Sequence, residues 1–215
     1  MINYFNIHTH KACEEGICVL NINSAGDFPS EKFLSFGIHP WDVDKIDIVD
    51  QLDKLNNLCS EKKLIAIGEI GIDRAINTNM EIQKEVFIKQ LEISKKFKLP
   101  VIIHCVRAWS DILAVRKIGK YKNTWIFHGF NGNFQTASQI IKSGCCLSYG
   151  KALISSKKLQ EVFTQMPKEF IFFETDDSDI KIKEIYQKGA ELYEIEIDEL
   201  KSIILDNYRK VFSKM

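Results

Sequence analysis

The sequence has no apolar run approaching the length of a membrane span. Its first residues lack the basic-then-apolar order of a secretory leader, so a cytoplasmic protein is expected. It also lacks net charge, since 29 Lys and Arg balance 29 Asp and Glu. That balance excludes a general electrostatic grip on nucleic acid or on an anionic membrane, though not a small cationic pocket. No CxxC spacing links the six cysteines (Cys13, Cys18, Cys59, Cys105, Cys145 and Cys146), so they read as reduced thiols that pack as small hydrophobes. Repeats, low-complexity tracts and Pro/Gly/Ser linkers are absent, and one domain over residues 1–215 is expected.

Histidine is scarce as well, 5 in all, yet two of them stand one residue apart in 5-FNIHTH-10. In a strand, residues i and i+2 point to the same side, so His8 and His10 converge there. Converging neutral imidazoles suit a divalent metal ion. Residues 2–8 open a series of eight apolar runs, continued by 16–22, 34–40, 64–73, 99–105, 124–130, 145–150 and 170–176. Their near-continuous apolarity suits parallel strands covered on both faces. Helical spacings lie between the later runs, as in Val49/Leu52/Leu55/Cys59, Ile82/Val86/Phe87/Leu91, Phe134/Ala137/Ile140/Ile141 and Leu159/Val162/Phe163/Met166. A last pattern from Leu200 to Val211 predicts a closing helix with Asp198 as its N-cap.

Eight strands alternating with helices predict an α/β fold of the (β/α) barrel type. The front of the chain fits it poorly. Residues 11–15 are too few for a helical crossover, and residues 23–33 carry Gly26 and Pro29. The first two helices are therefore expected to be missing, with the barrel distorted or incomplete at that end. Early strands joined by tight turns leave room for an antiparallel one.

The polar residues fall at the ends of the runs. His8 and His10, His39, Glu69, His104, His128, and Glu174 with Asp176 all lie at or just after such an end. In a parallel barrel these ends form one rim, where active sites are built. Singly, each has a plainer reading: a histidine satisfied by structure, a turn-capping Glu69, an N-capping Asp176. Together they are hard to obtain from packing, because buried polar groups are costly unless paired. Four histidines and two carboxylates from this set, six ligands, exceed the needs of one tetrahedral ion and suit two ions sharing a carboxylate.

The segments IHTH, GIHP, GEIGID, PVIIHC, HGFNG and ETDDSD, in this order, resemble the signatures of the TatD-related metal-dependent hydrolases. That family belongs to the amidohydrolase superfamily of TIM barrels and includes deoxyribonucleases that trim DNA from an end. The resemblance implies two divalent ions (magnesium, manganese or zinc). His8 and His10 would bind one of them, with Glu69 bridging to the second, which His104 and His128 hold. Asp176 would close the first site and serve as general base. His39 would lie near the substrate, and Asp73 would orient ligands from behind. The sequence departs from the pattern at Asn6, where the family usually has Asp, and at Val106, where it usually has Arg; Arg107 follows one position later. The shortened front resembles a compact subgroup and implies a more open cleft.

The expected activity is hydrolysis of phosphodiester bonds at DNA ends by a monomer. Trp41, Trp109, Phe130 and Phe134 are candidates to stack on bases, and Lys151, Arg74 and Arg107 to meet phosphates. Burial of Trp109 and Phe134 in the core is the plainer alternative. One rival keeps the site for a small amide, ester, lactone or phosphoester. The other makes the metals structural or absent and the barrel a binding partner.

Overall fold

The computed structural model describes residues 3–12, 15–22 and 33–212. Each of the eight apolar runs overlaps a strand. In chain order the elements are β1 (Phe5–Thr9), β2 (Ile17–Asn21), β3 (Leu34–Phe36), α1 (Ile48–Ser60), β4 (Ala66–Asp73), α2 (Met80–Phe97), β5 (Val101–Val106) and α3 (Trp109–Gly119). They continue with β6 (Trp125–Phe127), α4 (Phe134–Lys142), β7 (Cys146–Tyr149), α5 (Ala152–Ser155), α6 (Lys157–Phe163), a 3-10 turn (Lys168–Phe170), β8 (Ile171–Phe173), α7 (Ile182–Tyr193) and α8 (Ile197–Phe212). The strands follow sequence order through one eight-stranded sheet, the topology of a TIM-type (β/α) barrel. No described helix is long and apolar enough to cross a membrane.

The front of the chain is parallel throughout what is described. Phe5 pairs with Ile17 and Asn6 with Cys18, so β2 runs parallel to β1. Gly16 makes this possible. It sits at φ +89°, and a Cβ there would lie 2.3 Å from the Tyr4 carbonyl oxygen. Ile17 N–H donates to that same oxygen at 2.9 Å. No helix precedes α1 among the described residues, and residues 23–32 lie outside them. Cys18 is disulfide-bonded, which corrects the expectation of six free thiols. A disulfide needs two close Cα atoms rather than any particular spacing in sequence. Cys59, Cys105, Cys145 and Cys146 are buried and carry thiols.

The chain divides into two compact units, Met1–Leu20 with Phe127–Met215, and Asn21–Ile126. In the first, β7 pairs with β8, Leu147 opposite Ile171. Rings of Tyr149, Phe163, Phe173 and Tyr186 pack in succession, with centroids 4.9, 5.9 and 4.7 Å apart. The Tyr186 hydroxyl accepts from Phe5 N–H at 3.0 Å and donates to Phe5 C=O at 2.9 Å, tying α7 to β1. Helix α8 starts at Ile197, so Asp198 lies inside its first turn and not at the cap. Phe130, expected as a stacking residue, is buried against Tyr149.

In the second unit, β4 pairs with β3 and β5, and all eight of its residues are buried. A Cβ at Gly71 would lie 1.8 Å from the His104 carbonyl oxygen, so only glycine lets β5 approach this closely. Helix α2 is capped by Asn79, whose side chain accepts from Glu81 N–H and Ile82 N–H. It buries Val86, Phe87 and Leu91, and burial of each contributes about 2–3 kcal/mol.

Candidate metal centre

Each unit brings ligand-type side chains together among its described residues. In the first unit, β1 places His8, fully buried, and His10, half-exposed, just where its ladder ends. Nε2 of each lies 3.5 Å from Asp176 Oδ1. The His8 ring is 4.9 Å from that of His10 and 4.6 Å from that of His128. His8, His128 and Asp176 each offer a ligand atom within 4.8 Å of the others.

Asp176 is held there by backbone. Its N–H donates to His8 C=O at 3.1 Å, and its C=O accepts from His10 N–H at 3.2 Å. These bonds fix a left-handed conformation, φ +54°, that costs a non-glycine residue about 1–3 kcal/mol. Asn6 braces the same turn. Its Nδ2 donates to Thr175 Oγ1 at 2.8 Å, and its Oδ1 accepts from Thr175 N–H at 3.1 Å. The neutral amide in place of the family's aspartate thus anchors the arm that carries Asp176.

His128 has a carboxylate behind it. Glu174 Oε1 lies 3.3 Å from His128 Nδ1 and accepts from Gly129 N–H at 2.6 Å. Glu174 is 1% exposed, and its Oε2 is buried with no hydrogen-bond partner. A buried carboxylate oxygen in that condition is costly unless positive charge stands nearby. The donor set around it fits a cation.

In the second unit, Glu69 from β4 and His104 from β5 meet, with Nδ1 2.6 Å from Oε1. The other nitrogen, His104 Nε2, lies 3.2 Å from Asp73 Oδ2. One ring nitrogen therefore faces each carboxylate. With Asp73 taking the N–H, Nδ1 stays unprotonated beside Glu69 and can ligate a cation. Burial alone would raise the Asp73 carboxyl, but hydrogen bonds from the Trp41 indole, Ala75 N–H and His104 outweigh it and hold the group below the usual carboxylate range. Asp73 is thus a charged anchor.

His39, expected near the substrate, lies in this group. Its Nε2 is 3.4 Å from Glu69 Oε1 and 3.2 Å from His104 Nδ1. Its Nδ1 accepts from Trp41 N–H at 3.2 Å, which leaves the proton of a neutral ring on Nε2, facing Glu69. His39 is then a donor into the group, in keeping with a positioning role.

Two buried glutamines on one face of α2 hold this group, and the sequence reading missed both. Gln83 Oε1 accepts from Asp73 N–H at 2.8 Å while its Nε2 donates to Asp73 C=O at 3.1 Å. Seven residues on, Gln90 does the same for Ile38, at 2.6 and 3.1 Å, immediately before His39. Their signal in the sequence is a polar pair on an otherwise apolar helical stripe.

The other candidates lie further out. Arg107 is exposed just past β5, with φ +54°. Trp109, half-buried, opens α3. Lys151 is exposed between β7 and α5. Arg74 is already held in a two-pronged pair with Asp111, at 2.9 and 3.0 Å. Phe134 is exposed at the start of α4, so the core reading fails for it. The first unit also contains a cleft of ≈ 710 Å³, lined in part by Asn6, Thr9, Thr175, Lys11, Lys181 and Lys183.

Residues 7–213 match the family model described as TatD related DNase. The chain is 30% identical over 198 residues to the "Uncharacterized metal-dependent hydrolase YabD" of Bacillus subtilis, covering 84% of this chain and 77% of that protein. It is 32% identical over 160 residues to the "Putative deoxyribonuclease tatdn3" of Danio rerio, covering 69% of this chain and 60% of that one. The crystal structure of YjjV, a TatD homologue from Escherichia coli, superposes with a TM-score of 0.87 over 98% of each chain at 21% identity, a likeness of fold. With the family model matching nearly end to end, the chain belongs to the TatD-related DNase family.

Proposed function

We propose that this chain is a metal-dependent hydrolase that cleaves phosphodiester bonds at DNA ends. One observation carries the reading. Each group pairs an imidazole with a carboxylate behind it, His104 with Asp73 and His128 with Glu174. Metal-ligating histidines are oriented in this way. The description of the family model and the names of YabD and tatdn3 support the same chemistry.

The proposed ligands of two divalent ions are His8, His10, Glu69, His104, His128 and Asp176. Imidazoles mixed with carboxylates suit zinc or manganese, and the carboxylates alone would accept magnesium. Bound cations would lower the pKa of a water and polarise a phosphoryl oxygen. Asp176, with its side chain 38% exposed, accepts the proton of the attacking water. Glu69 holds its charge at the centre, and His39 Nε2–H orients it. Arg107, Lys151 and the lysines of the cleft meet phosphates, while Trp109 and Trp41 face bases. Zero net charge makes DNA binding weak and salt-sensitive, in a cytoplasmic monomer.

The cleft of ≈ 710 Å³ favours a second reading, because small-molecule pockets span about 300–1,000 Å³. The same donors would then hydrolyse a small ester, lactone, amide or phosphoester. A panel of such compounds, assayed beside single-stranded and nicked DNA with manganese, decides between the two. DNA is expected to be cut at the highest kcat/KM; a small ester turned over far faster than any DNA would overturn the nuclease reading.

A further inference from the structure

Trp41 is the largest of the exposed apolar side chains among the described residues, at 51% exposure. Val49, Ile82, Ile118 and Phe134 are also exposed, each on a helix. Trp41 stands instead in the turn after His39 and is bonded into the second group. Its indole N–H donates to Asp73 Oδ2 at 2.7 Å, and its backbone N–H donates to His39 Nδ1 at 3.2 Å. Its ring stands nearly perpendicular to His39, at 5.0 Å and 87°, and 6.3 Å from the ring of His104. The polar edge of the indole is used inward while half of the side chain faces solvent. A free surface tryptophan would be mobile, whereas this one has its orientation set by the carboxylate behind His104. A rigid, apolar, aromatic surface beside a hydrolytic centre is a stacking platform.

We propose that Trp41 stacks on the unpaired terminal base of the DNA strand whose phosphodiester is cut. The inference rests on the nuclease reading above and deepens it by naming the contact that recognises the end. The platform lies one ring away from His104, a reach comparable with that from a nucleotide's phosphate to its base. Stacking accepts any base, because every base presents a π-face, so the contact recognises an unpaired end without reading its sequence. A terminal base held in a duplex is already stacked on its neighbour and offers this surface less readily.

The test uses short labelled single strands that either carry the terminal base or lack it at an abasic end. Binding is measured with chelator present, so that the readout does not depend on turnover, and cleavage is then measured with manganese. Wild type is expected to bind the base-bearing end about tenfold more tightly than the abasic one. Trp41→Leu loses that preference and binds both ends equally. Trp41→Phe, which keeps a ring but loses the indole N–H, retains most of it, and this separates stacking from the hydrogen bond to Asp73. Equal binding of the two ends by wild type, or an undiminished preference in Trp41→Leu, would overturn the proposal. If wild type binds with the preference and cuts neither strand, the nuclease reading fails while the stacking contact stands. If it cuts both ends and binds them alike, the reverse holds.

Discussion

His104 meets a carboxylate at each nitrogen, and the two carboxylates differ in surroundings. Glu69 faces two imidazoles, at 2.6 Å to His104 and 3.4 Å to His39. Asp73 is fixed by three donors besides His104, namely the Trp41 indole, Ala75 N–H and, through its own backbone, Gln83. Glu69 is therefore placed to share its charge with a cation, and Asp73 to orient the ring. Asp73→Asn is expected to keep the fold and weaken manganese affinity about 10- to 100-fold, read by metal titration of the purified protein. Unchanged affinity would show that Asp73 does not act through His104. The proposed ligand positions could be read in the sequence because each polar residue interrupts an apolar run at its end. Glu174 was visible in the same way but was eclipsed by Asp176. Phe130 was misread because a rim loop was assumed to be exposed, whereas its ring packs on Tyr149.

Helix α2 acts as a brace with two prongs. Gln83 and Gln90 stand seven residues apart, on one face, and each closes two hydrogen bonds on one backbone unit. Replacing Gln90 by Leu would leave the Ile38 N–H and C=O buried without partners. The expected loss is about 2–4 kcal/mol, measured by urea unfolding, with a drop in activity as His39 loosens. A loss under about 0.5 kcal/mol, that of an ordinary surface change, would contradict the brace. At this scale the strands were the most legible feature, because runs buried on both faces need no partner pattern to be recognised. Helices α3 and α7 were missed. Each buries only a few apolar residues, Ile112 and Val115 in one and Ile182, Ile185 and Tyr186 in the other, spread among charges. Parallel pairing of β1 with β2 was not readable, because the spacing between the two runs does not announce the positive φ that Gly16 adopts just before β2.

Taken whole, the chain should be less tolerant of alkali than of mild acid. Burial pushes the Cys59 thiol up to about 12, and burial raises the phenols of Tyr186 and Tyr193 as well. Groups raised above their unfolded values favour the folded state fully below the unfolded pKa, near 9 for the thiol and 10 for the phenols, and lose that contribution as pH rises through the folded value. The melting temperature should therefore fall steadily above about pH 9–10, and a flat profile there would contradict it. The balanced charge, by contrast, could be read at once, and it argues against a broad DNA-binding face. The central claim is that this metal site cuts DNA. The most direct measurement follows end-labelled single-stranded DNA with manganese, comparing wild type with Asp176→Asn at matched purity. The account predicts progressive shortening by wild type and a loss of about 10²–10⁴-fold in the variant, the usual worth of a general base. Equal shortening by both would contradict it.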